Sequence, residues 1–306
     1  MNIPNSKYYK IMAESASHTS KSKIPLFVAE HMAGKDVSQY MILDVGCADG
    51  SFTRYMRDNL PSGCNIVGID RYFDLIAPRS PDREDGIMFL TESFDESFCN
   101  SGIQPPLGYD CIVFSSVMHE ISSFCGDSRS RYGKMPIQKA LQMAASLLKP
   151  GGIIIVRDMV APNRCKTRTR HVEFDSIRTI GRFLEFVRYC PHLRSPYNLD
   201  GLSEFVMYNT NEGLVLSVRE DVLLEFLMAY TWGDDRFSDE MRERKFILTK
   251  SQWSSAISKA GLEMVSYFAT NEEYPLYFGK FCKVWGSKWK YPATTCTIIA
   301  RKPTYA

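Results

Sequence analysis

The chain has 306 residues, 44% of them hydrophobic and 24% charged, with a formal net charge of +2. That composition suits one large globular domain, or one domain with a sizeable insertion, and needs no metal or disulfide staple. The near-neutral balance gives no global reason to seek nucleic acid or a membrane. Nine cysteines lie scattered with no C-x-x-C pair, several inside apolar runs. Zinc ribbons and redox motifs lack support, no metal is expected, and a reduced, cytoplasmic setting is the simplest reading. The first 18 residues contain no apolar h-region and no long apolar run occurs elsewhere, so neither a signal peptide nor a spanning helix is expected.

Short apolar runs at Met41 to Val45, Asn65 to Ile69, Ile87 to Leu90, Cys111 to Phe114 and Ile153 to Val156 predict strands buried on both faces. Segments of crossover-helix length lie between them, such as Ser51 to Leu60 and Pro136 to Leu148. Strand and helix in alternation mean a doubly wound α/β fold with a mostly parallel sheet and helices on both faces. Lys149-Pro150-Gly151-Gly152 breaks a helix from the next strand. From about Ala161 to Ile247 the texture becomes helical, aromatic and locally basic. The end returns to α/β texture: a helix over Leu248 to Ala260, with Thr249 as N-cap and Gly261 just past its end, then strands at Glu263 to Ala269 and Thr295 to Arg301.

The most informative stretch is Leu43-Asp44-Val45-Gly46-Cys47-Ala48-Asp49-Gly50, where a strand runs into a glycine turn and a helix follows. Glycines let the backbone turn tightly and approach a ligand, and the helix N-terminus offers N–H groups to an anion. Twenty residues past Gly50 the next strand ends at Asp70, placed to accept hydrogen bonds from ribose hydroxyls. Together the two features specify an adenosine-containing ligand. G-x-G-x-x-G and the P-loop lysine are both absent, which excludes the usual pyrophosphate cradles.

The LDVGCADG stretch resembles the first motif of the class I S-adenosylmethionine-dependent methyltransferases, apolar-apolar-Asp-apolar-Gly-Cys-Gly-x-Gly, departing from it at Ala48. Ala48 fits that pattern only if its φ stays negative. Phe89 to Phe94, Tyr109 to His119 and Leu147 to Gly152 resemble later motifs of the same family, in order. The resemblance covers about residues 38–160 and 248–302. It implies a seven-stranded Rossmann-like core at 38–160 and 248–306, an N-terminal helical segment at 1–37 covering the cofactor, and a mainly helical lid or acceptor-binding insertion at 161–247. It also implies S-adenosyl-L-methionine as cofactor, contacted by Asp44, Gly46, Cys47, Ala48, Gly50, Asp70, Arg71, Glu92, Ser93, Phe94, Ser115 and Ser116. Tyr8 and Tyr9 fall where an aromatic face would favour the sulfonium, the alternative being simple surface packing.

Methyl transfer from a sulfonium asks the protein to align donor and acceptor, exclude water and, for some acceptors, take a proton. His119, at the carboxyl edge of the fourth strand, is the candidate base, with Glu120 beside it to orient it or act instead. The alternative is that His119 only packs over the cofactor. H-E-x-x-H is not completed, because residue 123 is Ser, and the N/D-P-P-Y/F signature of amino-directed DNA methyltransferases is absent. Between Arg157 and Arg194 there are nine Arg or Lys against four Asp or Glu. Arg168, Arg170, Arg178 and Arg182, interleaved with Phe174, Phe183, Phe186, Tyr189 and Tyr197, form a candidate patch for RNA or a phosphorylated substrate. Against that, Ile177, Ile180, Phe183, Leu184 and Val187 recur at helical spacing, as core residues do. The expected acceptor is the O or N atom of a small or medium-sized metabolite. RNA methylation through the basic insertion, or a non-catalytic cofactor-binding partner subunit, are the alternatives.

Overall fold

A computed structural model describes residues 19–72, 83–84, 86–125, 131–163, 168–191, 193, 205–210, 213–271, 278–285 and 290–304. Tyr8, Tyr9 and Tyr197 lie outside the described residues. A 3₁₀ turn at Ser20–Lys23 leads into α1 (Ile24–Met32), β1 (Met41–Val45), α2 (Ser51–Asp58), β2 (Asn65–Ile69), β3 (Arg83–Glu84), β4 (Ile87–Leu90) and α3 (Glu96–Cys99). Then come β5 (Tyr109–Ser115), α4 (Met118–Phe124), α5 (Lys134–Leu147), β6 (Leu148–Met159), β7 (Thr169–Phe174), α6 (Ile177–Tyr189), β8 (Phe205–Thr210) and β9 (Gly213–Arg219). The chain continues through α7 (Glu220–Tyr230), α8 (Asp234–Glu240), α9 (Lys250–Lys259), β10 (Glu263–Thr270), β11 (Cys282–Val284) and β12 (Thr295–Arg301). Two compact units result: Met1–Asp158 with Ser251–Ala269 and Cys296–Ala306, and Met159–Lys250 with Thr270–Thr295.

The first unit is built on a sheet of order β10-β12-β6-β5-β1-β2-β4-β3. Seven strands match the expected core, and the two-residue β3 is an added antiparallel edge. β1 pairs in parallel with both β2 and β5, so the chain winds outward in both directions from β1. The gap between the carboxyl ends of β1 and β5 is the switch point where ligands of such sheets bind. The finish is antiparallel: Gly151 N–H donates to the Lys302 carbonyl near the start of β6, and Thr294 N–H donates to Thr270 beside β10. Continuous apolar runs made the strands legible because both faces are covered. Ile42, Ile66, Cys111, Val113 and Ile155 pack against Ile24, Val28, Met32 and Met56 with almost no exposure.

The second unit differs from the mainly helical insertion read from the sequence. Its helices accompany a four-stranded sheet of order β11-β7-β9-β8, with antiparallel pairs throughout. Short strands with polar residues interleaved carry a weaker signal than a continuous apolar run, which hid them. Residues 270–295, assigned to the core by sequence, belong to this unit. They supply Phe278, Cys282 and Tyr291 to its hydrophobic cluster. At the centre of that cluster Phe226 of α7 meets Phe174, Phe183, Phe186, Tyr230 and Phe237, with ring centroids 5.3–6.1 Å away. On α6, Phe183, Phe186 and Val187 are buried as the helical spacing predicts, but Ile177 is 88% exposed. The first turn of α6, capped by Ser176, stands clear of the cluster.

Candidate active site

The turn after β1 is held by the neighbouring strand. Gly46 and Cys47 both donate their N–H groups to the Ile69 carbonyl, at 2.8 and 3.0 Å. Ala48 N–H donates to Asp70 Oδ2 at 3.1 Å, and Tyr72 N–H donates to Asp70 Oδ1 at 2.8 Å. The glycine turn and Asp70 therefore form one structure, as the spacing predicted, with Asp70 half-buried and each carboxylate oxygen retaining a further lone pair. Gly46 and Gly50 have φ of +73° and +79°. Their lack of a side chain serves packing as well as conformation. A Cβ on Gly46 would come within 2.5 Å of Val117, and one on Gly50 within 2.6 Å of Phe89. Ala48 departs from expectation: its φ is +50°, in the left-handed region that favours glycine.

The floor of the pocket beside this turn is lined by Asp44, Gly46, Cys47, Ala48, Asp49, Ser51, Phe52, Ser115 and Lys21. Asp44 is buried and accepts from Thr53 Oγ1 at 2.6 Å. Burial pushes its carboxyl up to about 6, against the pull of Thr53 and Lys21. The Cys47 thiol is driven well above its ordinary value by burial, so it stays protonated and serves as packing. Asp49 takes the Ser51 N–H and hydroxyl at 3.0 and 2.7 Å, occupying the first donor of α2 that sequence reasoning offered to a ligand carboxylate. Ser115 Oγ is buried and has no hydrogen-bond partner among the described residues.

Other expected residues are distributed around this pocket rather than in its lining. Ser116, at φ +61°, donates its N–H to the Arg157 carbonyl and accepts from Arg157 Nη1 at 2.6 Å. Arg157 Nε donates to Ser20 Oγ at 3.0 Å. Ser116 thus fixes the 3₁₀ turn through Arg157, which the sequence had counted with the basic insertion. Phe94 packs edge-on against Phe114 with centroids 5.3 Å apart, Arg71 lies over the Tyr72 ring, and Glu92 and Ser93 are exposed. Glu92 N–H donates to the Asp70 carbonyl, which sets the β4 loop against the end of β2.

His119 lies in the first turn of α4 and is buried. Its Nδ1 is 2.8 Å from Asp158 Oδ1, while Asp158 Oδ2 accepts the N–H groups of Met118 and His119 at 2.7 and 3.2 Å. Asp158 therefore orients the imidazole from Nδ1, and a carboxylate oxygen of the adjacent Glu120 lies within 4.8 Å of a ring nitrogen. A carboxylate that accepts from Nδ1–H fixes the tautomer and leaves Nε2 as the basic nitrogen. Asp158 ends the apolar run of β6 on the same sheet edge as β5, and an acidic residue in that place was the overlooked signal. Lys21, before the first predicted strand, left no signal in the pattern.

The chain matches the methyltransferase-domain family over residues 18–193, more than half its length, and belongs to that family. It is a class I S-adenosylmethionine-dependent methyltransferase. A sequence search of curated proteins finds no match. Among solved structures it is similar to the carbon methyltransferase CurJ, with 13% identity and a TM-score of 0.48 over 96% of this chain and 58% of that one. It thus spans little more than half the length of the CurJ chain. It is also similar to a SAM-dependent methyltransferase from Methanosarcina mazei, with 14% identity and a TM-score of 0.42 over 86% and 92% of the two chains. A third likeness is to the 1,6-didemethyltoxoflavin-N1-methyltransferase of Burkholderia thailandensis, with 10% identity and a TM-score of 0.41 over 99% and 93%. Among the described residues no helix is long and apolar enough to cross a membrane.

Proposed function

We propose that the chain methylates an O or N atom of a small or medium-sized metabolite, with S-adenosylmethionine bound at the ends of β1 and β2 and His119 taking the acceptor's proton. The residues present fit that cofactor. Asp70 carries free lone pairs for ribose hydroxyls, and Ser115 Oγ is a buried polar atom without a partner among the described residues. When bound, the cofactor supplies a methyl group already activated as a sulfonium. Asp158 holds the His119 ring and its tautomer; His119 Nε2 receives the proton; the buried setting of the pair keeps water from competing.

The observation that carries this reading is the buried His119–Asp158 pair at the carboxyl ends of β5 and β6. Replacement of His119 by Ala is expected to lower turnover by about 10²–10⁴-fold with cofactor affinity nearly unchanged. Equal turnover in the variant sinks the base assignment. Incubation with isotopically labelled cofactor and separate pools of small metabolites, RNA and protein identifies the acceptor class.

The metabolite reading is supported over RNA by how the insertion uses its arginines. Arg170 lies 3.0 Å from the buried Glu220, Arg182 bonds Asp234 and Glu185 at 2.7 and 2.6 Å, and Arg178 also bonds Asp234. Phe174, Phe183 and Phe186 are core residues rather than an exposed stacking platform. Arg168, half-exposed and 4.0 Å from Glu220, is the loosest of the four.

A further inference from the structure

We propose that Lys21 is the cofactor's carboxylate receptor and that, with Asp44 opposite it, the pocket reads the amino-acid zwitterion of the cofactor. The inference rests on the cofactor reading above and names which side chains select the amino-acid end.

Lys21 is 5% exposed and lines the same pocket as Asp44 and Ser115. Among the described residues its Nζ has no hydrogen-bond acceptor and no ion-pair partner; the nearest aromatic face, Phe52, lies 5.9 Å away. A buried ammonium without an acceptor is costly, so its retention calls for an anion that arrives from outside. Two competing donors are already committed. Ser51 N–H is taken by Asp49, and Arg157, the other buried cation nearby, is spent on Ser20 and Ser116. The same Arg157 bond holds the 3₁₀ turn that carries Lys21. Asp44 supplies the complementary charge, one oxygen taken by Thr53 and the other open to a ligand ammonium. One buried cation and one buried anion in a single pocket match an α-amino acid, whose two charges sit on one carbon. Ser115 Oγ adds a neutral group that can donate to the carboxylate or accept from the ammonium.

The electrostatics give this site a pH signature. Burial, then Arg157 on β6, pulls the Lys21 ammonium down to about 7, while Asp44 on β1, Asp158 on β6 and Asp49 in the turn pull the other way. Above that value free Lys21 is neutral and must take up a proton to hold a carboxylate. Asp44, raised to about 6, loses its charge below that value. Affinity for an amino-acid-bearing ligand therefore peaks between these limits and weakens by up to about tenfold per pH unit on the alkaline side.

The test is calorimetric binding of S-adenosylhomocysteine and of 5′-methylthioadenosine, which shares the nucleoside and lacks the amino acid. Lys21→Met is expected to weaken S-adenosylhomocysteine by tenfold or more and to leave 5′-methylthioadenosine within twofold, which also proves the variant folded. Lys21→Arg retains most of the affinity. Wild-type affinity for S-adenosylhomocysteine falls from pH 7 to 8.5, with proton uptake visible as a buffer-dependent enthalpy, and Lys21→Met removes both effects. If Lys21→Met weakens both ligands equally, or neither, the assignment of Lys21 is overturned while the cofactor site stands. If the wild type binds neither ligand, the cofactor reading itself falls.

Discussion

Two buried lysines, one in each unit, show how differently the same group is used. Lys245 in the second unit is 3% exposed and lies 2.7 Å from Glu240, with Glu243 bonded to it as well. Burial alone would lower its pKa, but the two carboxylates outweigh that and hold it above the ordinary lysine range. Glu225 fastens the same segment by accepting the N–H groups of Lys245 and Phe246 at 2.8 and 2.9 Å. Lys21 in the first unit is equally buried, has no such partner among the described residues, and is pulled down to about 7. A charge neutralised on all sides holds a fold together. A charge left without its counter-ion marks where a ligand completes the structure.

The largest expected break of this comparison is in stability. Lys245→Met removes the ammonium bonded to two buried carboxylates and is expected to destabilise the second unit by about 3–5 kcal/mol, whereas Lys21→Met in the ligand-free protein is neutral or stabilising. Urea denaturation of both variants checks it, and equal destabilisation would erase the distinction.

Next comes Asp70→Ala. Loss of a charged acceptor for the ribose hydroxyls, together with the anchors of Ala48 and Tyr72, is expected to cost about 1.5–3 kcal/mol of cofactor affinity. Titration calorimetry measures it, and unchanged affinity refutes the ribose assignment.

A smaller effect separates the lysines by pH. Lys21 has a folded value of about 7, below the ordinary 10.5, so the folded state binds fewer protons than the unfolded state between those values. Its contribution to stability is lost as pH falls toward 7 and recovers as pH rises, by at most about 1.4 kcal/mol per pH unit. Lys245, raised instead, keeps its contribution across the same window. The difference in stability between wild type and Lys21→Met, followed from pH 7 to 8.5, is expected to shift in favour of the wild type. A flat difference contradicts the burial of an unpaired ammonium.

The smallest effect is Ala48→Gly. Relief of a left-handed alanine, offset in part by the greater freedom of unfolded glycine, is expected to raise stability by about 0.5 kcal/mol in thermal unfolding.

Much of the first unit was readable from the chain. β1, β2, β4 and β12 begin and end where the apolar runs do, because strands covered on both faces leave an unbroken hydrophobic record. The glycine turn and Asp70 were readable for a similar reason: a strand end, a turn and the next strand end lie close along the chain. The second unit was less so. Its strands are short and mixed in polarity, and β11 lies more than 100 residues beyond β7, with which it pairs from Cys282 to Phe174. Arg157 counted as a basic surface residue in the sequence and is a buried brace in the structure.

Sequence alone determined the class of fold, the glycine turn with Asp70 beside it and the place of His119 just past a strand end, since these rest on periodicity and spacing that neighbouring residues record. Tertiary structure alone decided that Asp158 orients His119 across 39 positions, that Ala48 takes a positive φ, and that Lys21 and Asp44 line one pocket. Which charges meet, and which are left waiting, depends on how distant strand ends and a leading turn converge. Local patterns carry no record of that convergence.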